Sequence, residues 1–129
     1  DHFKGINDTL GHRAGDMALT RFACILSENL GDENIIGRFG GDEFIICFTH
    51  KTQSECEFLL VKVRFILEQT TFSLESDAQF SLTATFGMAH LKGSQIAQSD
   101  INHLFEAADK TLYQAKQAGR NQICILNTI

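Results

Sequence analysis

Two carboxylates directly follow a pair of glycines in the stretch IIGRFGGDEFIICF, where Asp42 and Glu43 come after Gly40 and Gly41. Hard cations such as Mg²⁺ prefer carboxylate oxygens, and they commonly take one or two from the protein and others from substrate phosphates. Glycine also lets a ligand or metal approach the backbone closely. A charged hairpin tip without any chemical role explains the same residues, so both interpretations stay open at this point.

The runs on either side of these glycines determine how the carboxylates are positioned. NIIGRF and DEFIICF are rich in Ile and Phe, and Gly40-Gly41 between them predicts a hairpin with a two-residue type I′ turn. In a regular strand, Asp42 and Glu43 would point to opposite faces. Because both runs are apolar, we expect the hairpin to be central in its sheet.

A second group of polar residues lies near the amino terminus, in the glycine-rich stretch NDTLGHRAGD. Asp16 precedes an apolar helical pattern, so it is first interpreted as a helix N-cap. The alternative is base recognition, since one carboxylate can accept both N1–H and N2–H₂ of guanine and the amide of Asn7 can bond another edge atom.

A third group, in YQAKQAGRN, contains Lys116 and Arg120. Residues four apart share a face of a helix, and cations near a helix C-terminus are favoured by its dipole. The alternative is a clamp on terminal phosphates, with lysine as a point charge and arginine as a planar fork.

The periodicity around these groups predicts an α-β-β-α-β-α-β order. A further strand ahead of Asp1 would complete a split βαβ sheet of the ferredoxin-like kind, so the fold class is α/β (α+β). The expected elements are a helix after Asp16 that ends at Gly31, a helix over 54–69, β structure in QFSLTATFGMAHL, a helix over 100–118 followed by Gly119, and a strand in NQICIL.

Composition limits the remaining possibilities. The 129 residues fit one domain, 1–129, and the net charge of −5 argues against nucleic-acid binding and against direct membrane contact. No cysteine pair has C-x-x-C spacing, which predicts reduced cysteines packed inside a cytosolic domain. The four cysteines are Cys24, Cys47, Cys56 and Cys124.

Taken together and in this order, four segments resemble the GGDEF domain of diguanylate cyclases: DHFKGINDTLGHRAGD, RFGGDEF, LTATFGMA and ADKTLYQAKQAGRN. The resemblance extends from Asp1 to about Ile125. It implies a nucleotide-cyclase, polymerase-palm sheet with flanking helices. It also implies condensation of two GTP into cyclic di-GMP with release of two pyrophosphates, in a homodimer whose protomers each hold one GTP.

The resemblance also implies a role for individual residues. Asp42 and Glu43 would bind Mg²⁺ (or Mn²⁺), and Asp42 would act as the base on the 3′-hydroxyl. Guanine would be contacted by Asn7 and Asp16. The phosphates would be held by backbone N–H groups near His2 and Phe3 and by the side chains of Lys4, Lys116 and Arg120.

Two departures from the family pattern stand out. The family's Asp-x-Asp metal motif is represented only by Asp1, so the first aspartate and its strand are missing; we expect an amino-terminally incomplete fragment of a longer chain, in which activity would be weak or absent. The Arg-x-x-Asp product site is replaced by Gly31, Asp32, Glu33 and Asn34, so feedback inhibition through that site is not expected.

Three functions therefore remain at this level. The first is an active, cytoplasmic cyclase domain, with membrane anchoring of the parent protein left open. The second is a catalytically inactive GGDEF module that binds GTP and regulates a neighbouring domain. A plain dimerisation module of ferredoxin-like shape is the third, and it leaves the four co-occurring motifs unexplained.

Overall fold

The computed structural model of the protein describes residues 1–93 and 97–126. The chain divides into two compact units, Asp1–Leu82 and Thr83–Ile129, each with buried apolar residues of its own. This mixture of helices and strands confirms the expected α/β class. The helices are α1 Phe3–Leu10, α2 His12–Leu30, α3 Gln53–Gln69 and α4 Gln98–Gln117, and the strands are β1 Ile35–Arg38, β2 Phe44–Cys47, β3 Thr71–Ser73, β4 Gln79–Ser81, β5 Phe86–Ala89 and β6 Ile123–Leu126.

The described strands pair in twos. β1–β2 and β3–β4 are antiparallel, and β5–β6 is parallel. The run QFSLTATFGMAHL therefore contains two strands, β4 and β5, where one continuous β segment was expected. The short β3 was not predicted at all; it is held to β4 partly by stacking of Phe72 on Phe80, with ring centroids 4.8 Å apart.

Helices α2 and α3 supply most of the core of the first unit. Ile25 and Leu26 of α2 and Val63 of α3 are the largest fully buried side chains. Phe22 of α2 meets Phe44 of β2 edge to face, with centroids 5.1 Å apart, which ties α2 to the hairpin. α3 begins with a capping box in which the Thr52 hydroxyl accepts from the Glu55 N–H and the Glu55 carboxylate accepts from the Thr52 N–H.

The amino-terminal region is more helical than its glycines suggested. α1 and α2 join at Gly11, whose φ of 92° allows the sharp change of direction between them. Since α2 already begins at His12, Asp16 lies inside the helix, and the prediction that Asp16 is its N-cap is wrong. The predicted end of this helix at Gly31 is confirmed, with φ of 82°.

In the second unit, α4 lies across β5 at very close range. A Cβ built on Gly87 of β5 would meet the Leu112 backbone nitrogen at 2.2 Å and the Ala108 carbonyl oxygen at 2.5 Å. Only glycine fits this crossing. The carboxyl end of α4 is closed by the predicted glycine, because Gly119 has φ of 120° and the Arg120 N–H donates to the Ala115 carbonyl oxygen at 3.1 Å.

The cysteines divide into two classes. Cys56 is buried in α3, and its burial raises the pKa of its thiol, as expected for a packed cysteine. Cys24 and Cys47 are exposed, which corrects the expectation that all four are packed inside. Cys124 is half-buried.

Candidate functional site

The turn between β1 and β2 is braced from one side by an arginine. Arg38 Nη2 donates to the Gly41 carbonyl oxygen at 2.7 Å, and Arg38 Nε lies 3.2 Å from the carbonyl oxygens of both Gly40 and Gly41. The Phe39 N–H donates to the Glu43 carbonyl oxygen at 2.7 Å. The pairing of Arg38 with Phe44 continues this register into the strands.

This geometry corrects the predicted turn. The loop between the paired Phe39 and Glu43 contains three residues, Gly40, Gly41 and Asp42. Only Gly40 has positive φ, at 81°, whereas a type I′ turn needs positive φ at two positions. β2 begins at Phe44, so neither carboxylate lies in the regular strand and the opposite-face argument does not apply.

The two carboxylates differ in exposure. Asp42 is exposed at the tip of the loop, and Glu43 is half-buried beside it. The strands are less buried than their apolar sequence predicted, because every residue of β1 and β2 is half-buried or exposed. The described part of the chain therefore presents this turn on an open hairpin.

The donor set at the turn suits a hard cation. Asp42 and Glu43 supply two carboxylate groups that are adjacent in the sequence. Within residues 1–93 and 97–126, no cluster of three or more His, Cys, Asp or Glu side chains is arranged to hold a metal by itself. Mg²⁺ typically uses one or two carboxylates and completes its octahedron with waters and substrate phosphates. A site that shares its metal with a nucleotide fits these residues, whereas a closed all-protein cage does not.

α1 and α2 bring together the two residues predicted to contact guanine. Asn7 packs against α2 so closely that its side chain occupies the place a Cβ would take on Gly15, the residue before Asp16. The Asn7 Oδ1 atom is buried and has no hydrogen-bond partner among the described residues. Asp16 is exposed on the next position of α2. An unpaired buried acceptor next to an exposed carboxylate is suited to a ligand that presents N–H groups.

The residues predicted to bind phosphate lie in two places. His2 precedes α1 in a left-handed conformation with φ of 58°, and Phe3 and the exposed Lys4 form the first turn. N–H groups of a first helical turn lack intrahelical partners, which favours anions there. In the second unit, Lys116 is half-buried on α4, but Arg120 lies beyond the end of the helix with φ of 63°. The prediction that they share a helix face is therefore wrong.

Two contributors to this arrangement were not identified from the sequence. Arg38 belongs to the RFGGDEF motif but was given no role, although an arginine close to two glycine carbonyls can stabilise a turn by donating hydrogen bonds to them. Close packing at Gly15 could have been predicted from the sequence, because a glycine inside a helical pattern often marks close packing.

Comparison with known proteins identifies the family of the chain. Residues 1–122 match the family model described as diguanylate cyclase, GGDEF domain. The chain belongs to the GGDEF family. It is 33% identical over 123 residues to diguanylate cyclase DosC of Escherichia coli (strain K12) and 34% identical over 123 residues to diguanylate cyclase DgcP of Pseudomonas aeruginosa, in both cases over 95% of this chain. It spans only 26% and 18% of the length of those relatives, respectively.

Solved GGDEF structures have the same fold. The GGDEF domain of DgcB from Caulobacter crescentus, in complex with c-di-GMP, superposes with a TM-score of 0.87 at 28% identity, covering 97% of this chain and 72% of that one. The active GGEEF domain of a diguanylate cyclase from Vibrio cholerae gives a TM-score of 0.82 at 32% identity, covering 97% of this chain and 76% of that one. The predicted fold class is thereby confirmed.

None of α1 to α4 combines the length and the apolar character required to cross a bilayer.

Proposed function

We propose that this GGDEF domain condenses two molecules of GTP into cyclic di-GMP and releases two pyrophosphates. The observation that supports this most directly is the braced turn that presents Asp42 to solvent next to Glu43. Two neighbouring carboxylates are costly next to a triphosphate, unless a divalent metal lies between them. The diguanylate cyclases DosC and DgcP among its relatives support the same reaction.

Guanine recognition is proposed for Asn7 and Asp16. The buried Asn7 Oδ1 would accept a hydrogen bond from the base, and the Asp16 carboxylate would accept from the N1–H and N2–H₂ edge. Adenine presents no such pair of adjacent donors, so we expect GTP to be preferred over ATP. The Asn7 side chain packs against Gly15, so its amide would rotate slightly for Oδ1 to reach the base.

Exchanging Gly15 for Ala tests this arrangement. A Cβ at Gly15 must displace Asn7, and we expect GTP affinity to fall roughly three- to tenfold, the effect of losing one hydrogen bond. Stability should change by less than about 1 kcal/mol, because alanine favours a helix over glycine by a similar amount. Calorimetric titration with GTP and urea unfolding measure the two effects.

The control is Gly5→Ala in α1, where an added Cβ would have nothing within 4 Å. This variant should bind GTP as the unchanged protein does. Equal GTP affinity of the Gly15→Ala and Gly5→Ala variants would show that Asn7 does not bind the base.

Phosphate binding is proposed for His2, Phe3 and Lys4 at the start of α1 and for Lys116 and Arg120 in the second unit. The free N–H groups of the first turn of α1 favour an anion there. Lys116 and Arg120 are assigned to the terminal phosphates by their motif alone, ADKTLYQAKQAGRN.

The chemical step is proposed to use the turn carboxylates. Asp42 would accept the proton of the attacking 3′-hydroxyl, and Glu43 would complete the oxygen donor set. A bound Mg²⁺ or Mn²⁺ would neutralise charge on the triphosphate and on the departing pyrophosphate. Positioning of the hydroxyl in line with the α-phosphorus requires a second GTP, so we propose a homodimer with one GTP on each protomer.

The location is proposed to be the cytoplasm. All four cysteines are free thiols in the structure and two of them are exposed, which suits a reducing compartment.

The deciding experiment uses the natural full-length protein with GTP and Mg²⁺. We expect one cyclic di-GMP and two pyrophosphates for every two GTP consumed, as measured by chromatography and a coupled pyrophosphate assay. ATP in place of GTP is the matched control. A folded protein that binds GTP but forms no product would contradict the cyclase proposal and favour the inactive regulatory module.

A further inference from the structure

An apolar stripe runs along the outer side of α3, opposite its buried face. The buried side chains of this helix are Cys56, Leu60, Val63 and Leu67. Phe58, Val61 and Phe65 point the other way and are 69%, 45% and 55% exposed, respectively. Spacings of three and four residues put these three on one line along the helix surface.

The size of this stripe limits what it can bind. Aromatic side chains bury roughly 150–250 Å² each when fully covered, so the three residues expose on the order of 250 Å². Isolated exposed apolar residues need no explanation, but a continuous row of three is typical of an interaction surface. Two such stripes would bury on the order of 500 Å², well below the area of stable specific interfaces, so the association would be weak and reversible.

The charges beside the stripe show which partner fits. Glu55 and Lys62 are seven residues apart, which is two helical turns, so they lie on the same flank. Glu57 and Arg64 are also seven apart and lie on the opposite flank. Each flank therefore has an acidic residue toward the amino end and a basic residue toward the carboxyl end.

This pattern is self-complementary in one orientation only. When two copies of α3 pack antiparallel about a two-fold axis, each flank faces the same flank of the other copy. Glu55 then approaches Lys62 of the second copy, and Glu57 approaches Arg64 of the second copy. In a parallel pair, opposite flanks meet at the same level, which puts Glu55 beside Glu57 and Lys62 beside Arg64.

The centre of the apolar stripe lies close to the same two-fold axis as the centres of the two charge pairs. The midpoints of the pairs Glu55–Lys62, Phe58–Val61 and Glu57–Arg64 all fall between residues 58 and 61 of α3. A single antiparallel register therefore packs Phe58 on Val61 of the second copy and brings opposite charges together on both flanks. Arg64 also donates to Glu68 on its own helix at 3.0 Å.

We propose that the outer face of α3 is a homodimer surface, on which two copies of this chain pack antiparallel through Phe58 and Val61, with Phe65 at each end of the contact. This surface is separate from the residues proposed for GTP binding and catalysis. The association is independent of the cyclase reaction, so each proposal can fail without the other.

The test cross-links the flanks in the natural full-length protein. Equal amounts of ¹⁴N- and ¹⁵N-labelled protein are mixed and treated with a carbodiimide, which joins a carboxylate to a lysine at contact distance. We expect a hybrid-isotope peptide that links Glu55 to Lys62, and its yield should fall at high salt as the flank charges are screened. Sedimentation over a range of concentrations measures the dissociation constant.

Phe58→Glu is the informative variant, because it buries a charge only if the stripe is covered in the dimer. We expect at least a tenfold rise in the dissociation constant and loss of the hybrid Glu55–Lys62 peptide. Ile101→Glu, at a residue of α4 that is 50% exposed, is the matched control and should change neither. Thermal unfolding of both variants checks that they remain folded.

Three results would overturn the proposal. Cross-links between Glu55 and Lys62 that contain only one isotope would show contact within a chain. Unchanged association of Phe58→Glu would assign self-association to another face. Slow hydroxyl-radical labelling of the Phe58 and Phe65 side chains in the monomer would show that another segment of the full-length protein covers the stripe.

Discussion

Asp42→Asn is expected to lower the rate of cyclic di-GMP formation by about 10³-fold, since a positioned general base typically contributes 10²- to 10⁴-fold. The amide keeps the size of the side chain but cannot accept the proton of the 3′-hydroxyl, and it is a poorer ligand for Mg²⁺. We expect the loss in kcat, with a smaller change in the binding of GTP, because Asn7 and Asp16 are proposed to hold the base.

The fold should tolerate this change. Asp42 is exposed at the tip of a three-residue loop, and the loop is held by Arg38 and by the Phe39–Glu43 hydrogen bond. Urea unfolding of Asp42→Asn should therefore match that of the unchanged protein within about 0.5 kcal/mol. Asp32→Asn, another exposed carboxylate in the same unit, is the control and should retain full activity.

Initial rates of product formation with saturating GTP and Mg²⁺ measure the effect. Retention of more than a tenth of the activity by Asp42→Asn would exclude Asp42 as the base. Loss of GTP binding together with activity would instead indicate that the carboxylate acts mainly through the metal and the substrate phosphates.

Local patterns in the sequence were sufficient to predict the positions of most helices. α3 was expected over 54–69 and is observed over Gln53–Gln69, and its stripe of apolar residues and the Thr52–Glu55 box explain why. The ends at Gly31 and Gly119 were also predicted, because positive φ at the end of a helix strongly favours glycine.

The errors arise where packing and hydrogen bonds override the local preference of a residue. Asp16 is a residue type that favours an N-cap, but α2 starts at His12, four residues before Asp16, because packing of α1 against α2 supports its first turn. Gly40-Gly41 is compatible with a two-residue turn, yet Arg38 bonds to both glycine carbonyls and the register leaves three residues in the loop. Neither interaction has a period that can be counted in the sequence.

The candidate site was therefore predictable in its residue types and less so in its geometry. The chemistry of Asp42 and Glu43 left a metal site and a charged hairpin tip both open, and the family resemblance supplied their proposed roles together with those of Asn7 and Asp16. The placement of Asn7 against Gly15 depends on the approach of two helices, which only the structure describes. The same is true of Arg120, whose position follows from the turn after α4.

Gly87→Ala is expected to cause the largest loss of stability of any single added methyl group in the described chain, about 3 kcal/mol. Its Cβ would lie 2.2 Å from the Leu112 nitrogen, 2.5 Å from the Ala108 oxygen and 2.6 Å from the Leu112 Cα, all of which are backbone atoms. A rotamer change cannot relieve contacts with backbone, so α4 must move away from β5. That movement also loosens packing around the buried Met88 and Ala115.

The matched control is Gly37→Ala in β1, because Gly37 also lies in a strand and an added Cβ there has nothing within 4 Å. We expect Gly37→Ala to change the free energy of unfolding by less than about 0.5 kcal/mol, as is usual for surface substitutions. Urea unfolding and hydrogen exchange of α4 amides distinguish the two variants. Equal stability of the Gly87→Ala and Gly37→Ala variants would mean that α4 does not approach β5 as closely as the Gly87 contacts indicate.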